Sequence, residues 1–161
     1  MKFVLVGTGL ISETYVDIVR QQDGASIVAI VSRSGKGLKG LDVPVFPSIS
    51  KVQVPFDASI IASPNGTHGS IIEEVARLGK HSLVEKPLDI TPKACDSIIE
   101  TMEKHKVFVG VAFQRRFSKD NMQVKQLLDS GALGKVIGAD LTAKFLRDQA
   151  YYDQADYRGK L

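Results

Sequence analysis

The residues with the clearest chemical potential are Glu85-Lys86-Pro87, which follow a short apolar run at His81–Val84. A lysine in that setting can give or take a proton from a substrate hydroxyl if burial and nearby positive charge lower its pKa from about 10.4. Glu85 could orient it. An ordinary surface ion pair is the competing reading. A second group is Gly7-Thr8-Gly9-Leu10-Ile11-Ser12. Its first two glycines allow a tight turn and close backbone approach to a pyrophosphate, whose oxygens would meet helix N-terminal amides. Ser12 stands where a third glycine is usual, and is small enough for helix–strand packing.

A third group is Val31-Ser32-Arg33-Ser34, followed by Lys36. A carboxylate at this place would bond the adenosine ribose and select NAD. None is present. Ser32, Arg33 and Ser34 suit a 2′-phosphate instead, which makes NADP the first expectation and NAD the second. A solvated basic loop is the alternative. A hydrogen bond to a charged group contributes about 1.5–3 kcal/mol, enough to set such a preference.

Ser63-Pro64-Asn65 and Thr67-His68 follow the next apolar run. Asn65 is suited to the nicotinamide ribose or carboxamide. His68 is a candidate cofactor contact, or a packing or capping residue for the following helix. Gln114-Arg115-Arg116-Phe117 are placed to fix cofactor or substrate, or to brace an inter-domain joint. His81 and His105 carry no expected role, and no spacing suggests a metal site.

These groups need elements to hold them. Lys2–Val6, Ser26–Val31, Ala58–Ala62, His81–Val84 and Val107–Ala112 read as apolar strands of the kind buried on both faces of a parallel sheet. Between them come helical patterns. Ile11, Tyr15, Ile18 and Val19 share one face, as do Ile71, Ile72, Val75 and Leu78, with Gly79 as a stop. Thr91-Pro92 reads as N-cap and first turn of a helix with Ile98, Ile99 and Met102 inward. The rhythm predicts an α/β fold: a doubly wound, mostly parallel Rossmann sheet with helices on both faces. Ligands of such sheets sit at the strand C-terminal ends, where every group above falls.

A further helix is expected over Ser118–Asp129. Lys135–Phe145 then reads as a long strand without a following helix, and Asp148–Leu161 as a polar tail. These are taken as the first strand of a missing α+β C-terminal domain. The expected organisation is a dinucleotide-binding domain over 1–117, then a connecting helix and the start of a truncated substrate domain over 118–161. An unpaired strand edge invites another copy, so a homo-oligomer is expected.

Composition bounds the rest. The chain has 161 residues, 43% of them hydrophobic, so it can bury one core. The single cysteine, Cys95, excludes an internal disulfide and favours a cytoplasmic setting. The net charge is +3 with dispersed basic residues, so no nucleic-acid partner is expected. No run approaches the roughly 20 apolar residues of a membrane span. The N-terminal apolar run is too short for a signal segment.

Taken in order, the motifs resemble the Gfo/Idh/MocA oxidoreductases, named for glucose-fructose oxidoreductase and inositol dehydrogenase. The resemblance rests on Gly7-Thr8-Gly9, Ser63 to His68, Glu85-Lys86-Pro87-Leu88, Gly110 to Phe117 and Gly131 to Lys135. Tyr151-Tyr152-Asp153 to Tyr157-Arg158-Gly159 also look like members acting on sugars or sugar nucleotides. The resemblance implies that Lys86 is the catalytic lysine, with Glu85 and Asn65 at the nicotinamide. It implies hydride transfer between the cofactor and a hydroxyl-bearing carbon of a sugar, sugar derivative or cyclic polyol. It also implies about twice this length, with a second domain supplying most of the substrate pocket. The alternative is a non-catalytic module that binds or senses dinucleotide.

Overall fold

The computed structural model describes residues 1–153. Among them, six strands form one parallel sheet in the order β3-β2-β1-β4-β5-β6. The strands are β1 (Lys2–Val6), β2 (Ser26–Val31), β3 (Val45–Phe46), β4 (Ala58–Ile61), β5 (His81–Val84) and β6 (Val109–Val111). Crossovers run through α1 (Leu10–Arg20), α2 (His68–Arg77) and α3 (Pro92–His105). The strand order reverses between β1 and β4, which opens a crevice above their C-terminal ends.

The central strands are mostly apolar because both faces are covered, and the buried Ser59 and Ser82 satisfy each other with a hydroxyl–hydroxyl hydrogen bond at 2.9 Å. Val4, Val6, Ala29, Val31, Ile61 and Val84 share a cluster with Ile72 and Val75 of α2 and Ile98 of α3. On the opposite face Leu5, Ile27, Ile60 and Ala62 pack with Tyr15, Val16 and Val19 of α1. Thr91 caps α3, its hydroxyl accepting from the Ala94 amide at 3.2 Å, with Pro92 in the first turn.

Several expectations need correction. The buried face of α1 is Ser12, Tyr15, Val16 and Val19. Ile11 and Ile18 are exposed, because the helix turns Ser12 inward against the Gly7 carbonyl. Leu78 is exposed because α2 ends at Arg77. The last strand is shorter than the apolar run: Lys106 takes a left-handed conformation and the Val107 amide bonds back to Met102, closing α3. Sequence reading missed β3, two residues lying between Pro44 and Pro47.

The chain divides into two compact units, Met1–Arg115 and Arg116–Leu161. The second holds α4 (Lys119–Asp129) and a short α5 (Gln149–Asp153). The strand expected over 135–145 is not formed; residues 135–148 have no regular structure up to α5. Ile137 and Leu141 stand fully exposed there. A strand is held by hydrogen bonds to a neighbour, and apolar alternation alone does not supply one. Among the described residues, the unpaired strand edge from which a homo-oligomer was expected is therefore absent. The part of the tyrosine-rich motif from residue 154 onward lies outside the described residues. Among the described residues, no helix is long and apolar enough to cross a membrane.

Candidate functional site

The site begins where β1 gives way to α1. Gly7 sits at φ +105°, and its amide donates to the Val31 carbonyl at 2.9 Å. A Cβ there would lie 2.5 Å from the Ala62 carbonyl oxygen, so only glycine lets β1 and β4 diverge this closely. Gly9 differs. It is the N-cap of α1, and nothing lies within 4 Å of where its Cβ would be. No side chain caps α1. The first amides of a helix lack intrahelical partners, and here Leu10 and Ile11 contribute two of them at an open surface. Ser12, fully buried, donates its hydroxyl to the Gly7 carbonyl at 3.1 Å and braces the turn from below. Open amides at the positive end of a helix dipole are a geometry that suits an anion.

Beside this turn lies a cavity of about 480 Å³. It brings together seven residues singled out from sequence: Gly7, Thr8, Ser32, Arg33, Ser34, Ser63 and Pro64. Ser32 is buried, and its hydroxyl lies 3.0 Å from that of Ser34, which orders the loop after β2. Arg33 is exposed at the cavity mouth. Thr67, also read on this rim, caps α2 at its edge, but the opposite wall was missed: Pro47, Ser48 and Ile49 after β3, and Ser70, Ile71 and Glu74 on α2. The helical spacing of Thr67, Ser70 and Glu74 was the available signal, but a polar helix face is ordinarily solvent-exposed. The volume and mixed lining suit a nucleoside.

Gly9, Leu10, Ile11, Asn65, Glu85, Lys86, Gln114 and Arg115 do not line this cavity. Asn65 is exposed on the turn after β4. Gln114 and Arg115 are exposed in a single 3-10 turn, Gln114–Phe117, beyond β6. His68 does not face the open rim. It is fully buried, with Nδ1 2.9 Å from the Pro87 carbonyl and Nε2 3.0 Å from the Ser63 carbonyl. It therefore ties the turn after β4 to the turn after β5, which corrects its placement among cofactor contacts. Asp89 supports the same junction by accepting from the Gly69 amide at 2.9 Å.

Lys86 is exposed on the turn after β5, joined to Pro87 by a cis peptide. Glu85 is half-buried. Its Oε1 accepts from the Tyr15 hydroxyl at 2.8 Å and its Oε2 from the Lys86 amide at 3.1 Å. Glu85 thus shapes the turn through the backbone and is held by α1, a partner that sequence reading placed only in the core. Burial first, then the hydrogen bond and charge of Glu85, push the Tyr15 phenol well above its ordinary value, so it acts as a donor.

An uncapped helix N-terminus, a glycine turn and a nucleoside-sized cavity on the rim of a 3-2-1-4-5-6 parallel sheet define a dinucleotide-binding domain. The chain belongs to the Gfo/Idh/MocA oxidoreductase family, NAD-binding Rossmann fold, whose family model matches residues 1–113. It is 28% identical over 150 residues to inositol 2-dehydrogenase of Rhizobium meliloti, covering 89% of this chain and 45% of that protein. The WlbA dehydrogenase of Bordetella pertussis, solved with NADH and UDP-GlcNAcA, is 27% identical with a TM-score of 0.83 over 98% of this chain and 50% of that one. The scyllo-inositol dehydrogenase of Lactobacillus casei, solved with NAD(H) and scyllo-inositol, is 25% identical with a TM-score of 0.72, covering 83% of this chain and 42% of that one. The chain spans about half or less of the length of these relatives.

Proposed function

We propose that this chain is the cofactor-binding part of a dehydrogenase acting on the hydroxyl carbon of a sugar, sugar derivative or cyclic polyol. The observation that carries the proposal is the alignment of the anion-binding turn at Gly7, the adjoining cavity and the Lys86 turn on successive strand ends of one sheet. In this reading the adenosine occupies the cavity, the pyrophosphate meets the amides at Gly9 to Ile11, and the nicotinamide reaches towards Asn65 and Glu85. Bound there, the cofactor supplies or accepts the hydride. Lys86 moves the proton of the substrate hydroxyl through Nζ. Gln114 and Arg115 orient substrate or cofactor from beyond β6.

We assign NADP as the first cofactor and NAD as the second. The β2 end offers Ser32, Arg33 and Ser34 and no carboxylate, which favours a 2′-phosphate. The NAD-binding family model and the relatives solved with NADH or NAD(H) favour the unphosphorylated form, so the proposal of NADP rests on the β2 end alone. A cytoplasmic setting belongs to the proposal and is supported by the single cysteine.

The test is titration of the chain with NADPH and NADH, followed by nicotinamide fluorescence. Saturable binding, tighter for NADPH, is the expected result. Failure to bind either dinucleotide refutes the proposal. Turnover is to be assayed in the whole protein on a panel of inositols, sugars and sugar nucleotides. Binding without turnover on every member favours a cofactor-sensing module.

A further inference from the structure

We propose that Tyr15 is a positioning residue of the cofactor site, holding the Glu85 carboxylate at the end of β5 through its phenolic hydroxyl. The inference rests on the functional reading above.

Tyr15 lies on the inward face of α1, eight per cent exposed, with its ring among Leu5, Val19, Ile60 and Ala62. A phenylalanine would fill that apolar space as well. The hydroxyl adds a polar atom that costs stability there unless it finds a partner. Its partner is Glu85, 70 residues away in sequence, at 2.8 Å. The other carboxylate oxygen is taken by the Lys86 amide. Glu85 is therefore held from two sides, by α1 and by the turn that carries Lys86.

The consequence lies in what the hydrogen bond joins. The N-terminus of α1 is the proposed pyrophosphate site, and Glu85 stands at the proposed nicotinamide end. The Tyr15 bond fixes the distance between the two. An ionised carboxylate has about four lone-pair sites, so one oxygen can accept from Tyr15 and still accept an amide or hydroxyl hydrogen of the ligand. Tyr15 acts through Glu85 and touches no reacting atom.

The test compares two ligands on the 161-residue chain. One is whichever of NADPH and NADH it binds more tightly. The other is the matching ADP-ribose fragment, which lacks the nicotinamide ring. Tyr15→Phe should weaken the dinucleotide by about three- to tenfold while leaving the fragment within about twofold. Glu85→Gln should give the same selective loss, and the double variant should lose little more than either single one. Equal losses for both ligands would make Tyr15 merely structural and overturn the proposal, as would no loss for either. Additive losses in the double variant would also overturn it. If Tyr15→Phe fails to fold, Glu85→Gln still decides the matter from the partner's side, by its selectivity and by lowering the alkaline midpoint of Tyr15 ionisation. An unsubstituted chain that binds neither ligand defeats the underlying functional reading, a result distinct from any of these.

Discussion

Gly7→Ala and Gly9→Ala form the sharpest pair of tests, because the structure assigns the two glycines different reasons for being glycine. At Gly7 the backbone holds φ +105°, where an L side chain costs about 1–3 kcal/mol. The new Cβ would also stand 2.5 Å from the Ala62 oxygen, 2.8 Å from its carbonyl carbon and 3.2 Å from the Ser63 nitrogen. All three atoms are backbone. Relief requires moving the end of β4, whose Ala62 amide donates to Val6 at 2.8 Å. Overpacking of this kind adds about 1–3 kcal/mol. The combined loss of about 2–6 kcal/mol is a large share of the 5–15 kcal/mol typical of a folded domain. At an m value of about 2 kcal/mol per molar urea, the midpoint falls by about 1–3 M. At Gly9 φ is −76° and a Cβ meets nothing within 4 Å. Gly9→Ala should therefore cost no more than about 1 kcal/mol, the scale of an N-cap exchange. In the proposed binding mode, however, its methyl group would enter the space given to the pyrophosphate, and NADPH affinity should fall at least about tenfold. Urea unfolding and fluorescence titration read the two effects separately. A Gly7→Ala protein with an unchanged midpoint, or a Gly9→Ala protein with unchanged affinity, would refute the corresponding half of this reasoning.

Arg33→Ala should weaken NADPH about tenfold to a hundredfold and NADH by less than about twofold, and an equal loss for both would remove Arg33 from the 2′-phosphate site. Tyr15 should ionise only above the ordinary tyrosine value of about 10. Because its folded-state pKa is raised, its contribution to stability is complete below that value and is lost as pH rises through the folded one. In an absorbance titration of tyrosinate, Tyr15→Phe should remove signal only at the alkaline end, and a loss near pH 10 would contradict the burial argument. His68→Leu strands the Ser63 and Pro87 carbonyls in the interior and should lower unfolding free energy by about 2–4 kcal/mol, read from denaturant midpoints. Thr91→Ala removes the cap of α3 and should cost about 1 kcal/mol by the same measurement.

The fold was legible wherever a local pattern carries a non-local requirement. Strands β1, β2 and β5 match their apolar runs residue for residue, because central parallel strands must be apolar on both faces. Strand β3 is two residues long and leaves no run to read. It exists because the Ile30 amide donates to Pro44 and the Ser32 amide to Phe46, an arrangement set by its neighbour. The segment 135–145 is the converse case. It has the apolar pattern of a strand but no partner among the described residues, and it forms none.

The site divides along the same line. That Gly7, Ser32, Arg33 and Ser34 come together at strand ends was legible because turn geometry and strand-end position are local properties. Ser70 and Glu74 were not, since what faces them is decided by how α2 packs beside the β2 and β3 ends. His68 and Tyr15 differ in the same way: of the two roles read for His68, the packing one fits a ring sealed between two carbonyls, and Tyr15, expected only in the core, reaches Glu85 after β5. For Tyr15 the clue was present in its side-chain type. A hydroxyl at an inward position of an amphipathic helix requires an acceptor within its reach. Of the six strands in the sheet, only β5 is followed directly by a carboxylate, so the acceptor on this rim was already narrowed to Glu85. A core position that keeps tyrosine where phenylalanine would pack equally well thus points to the polar group it serves.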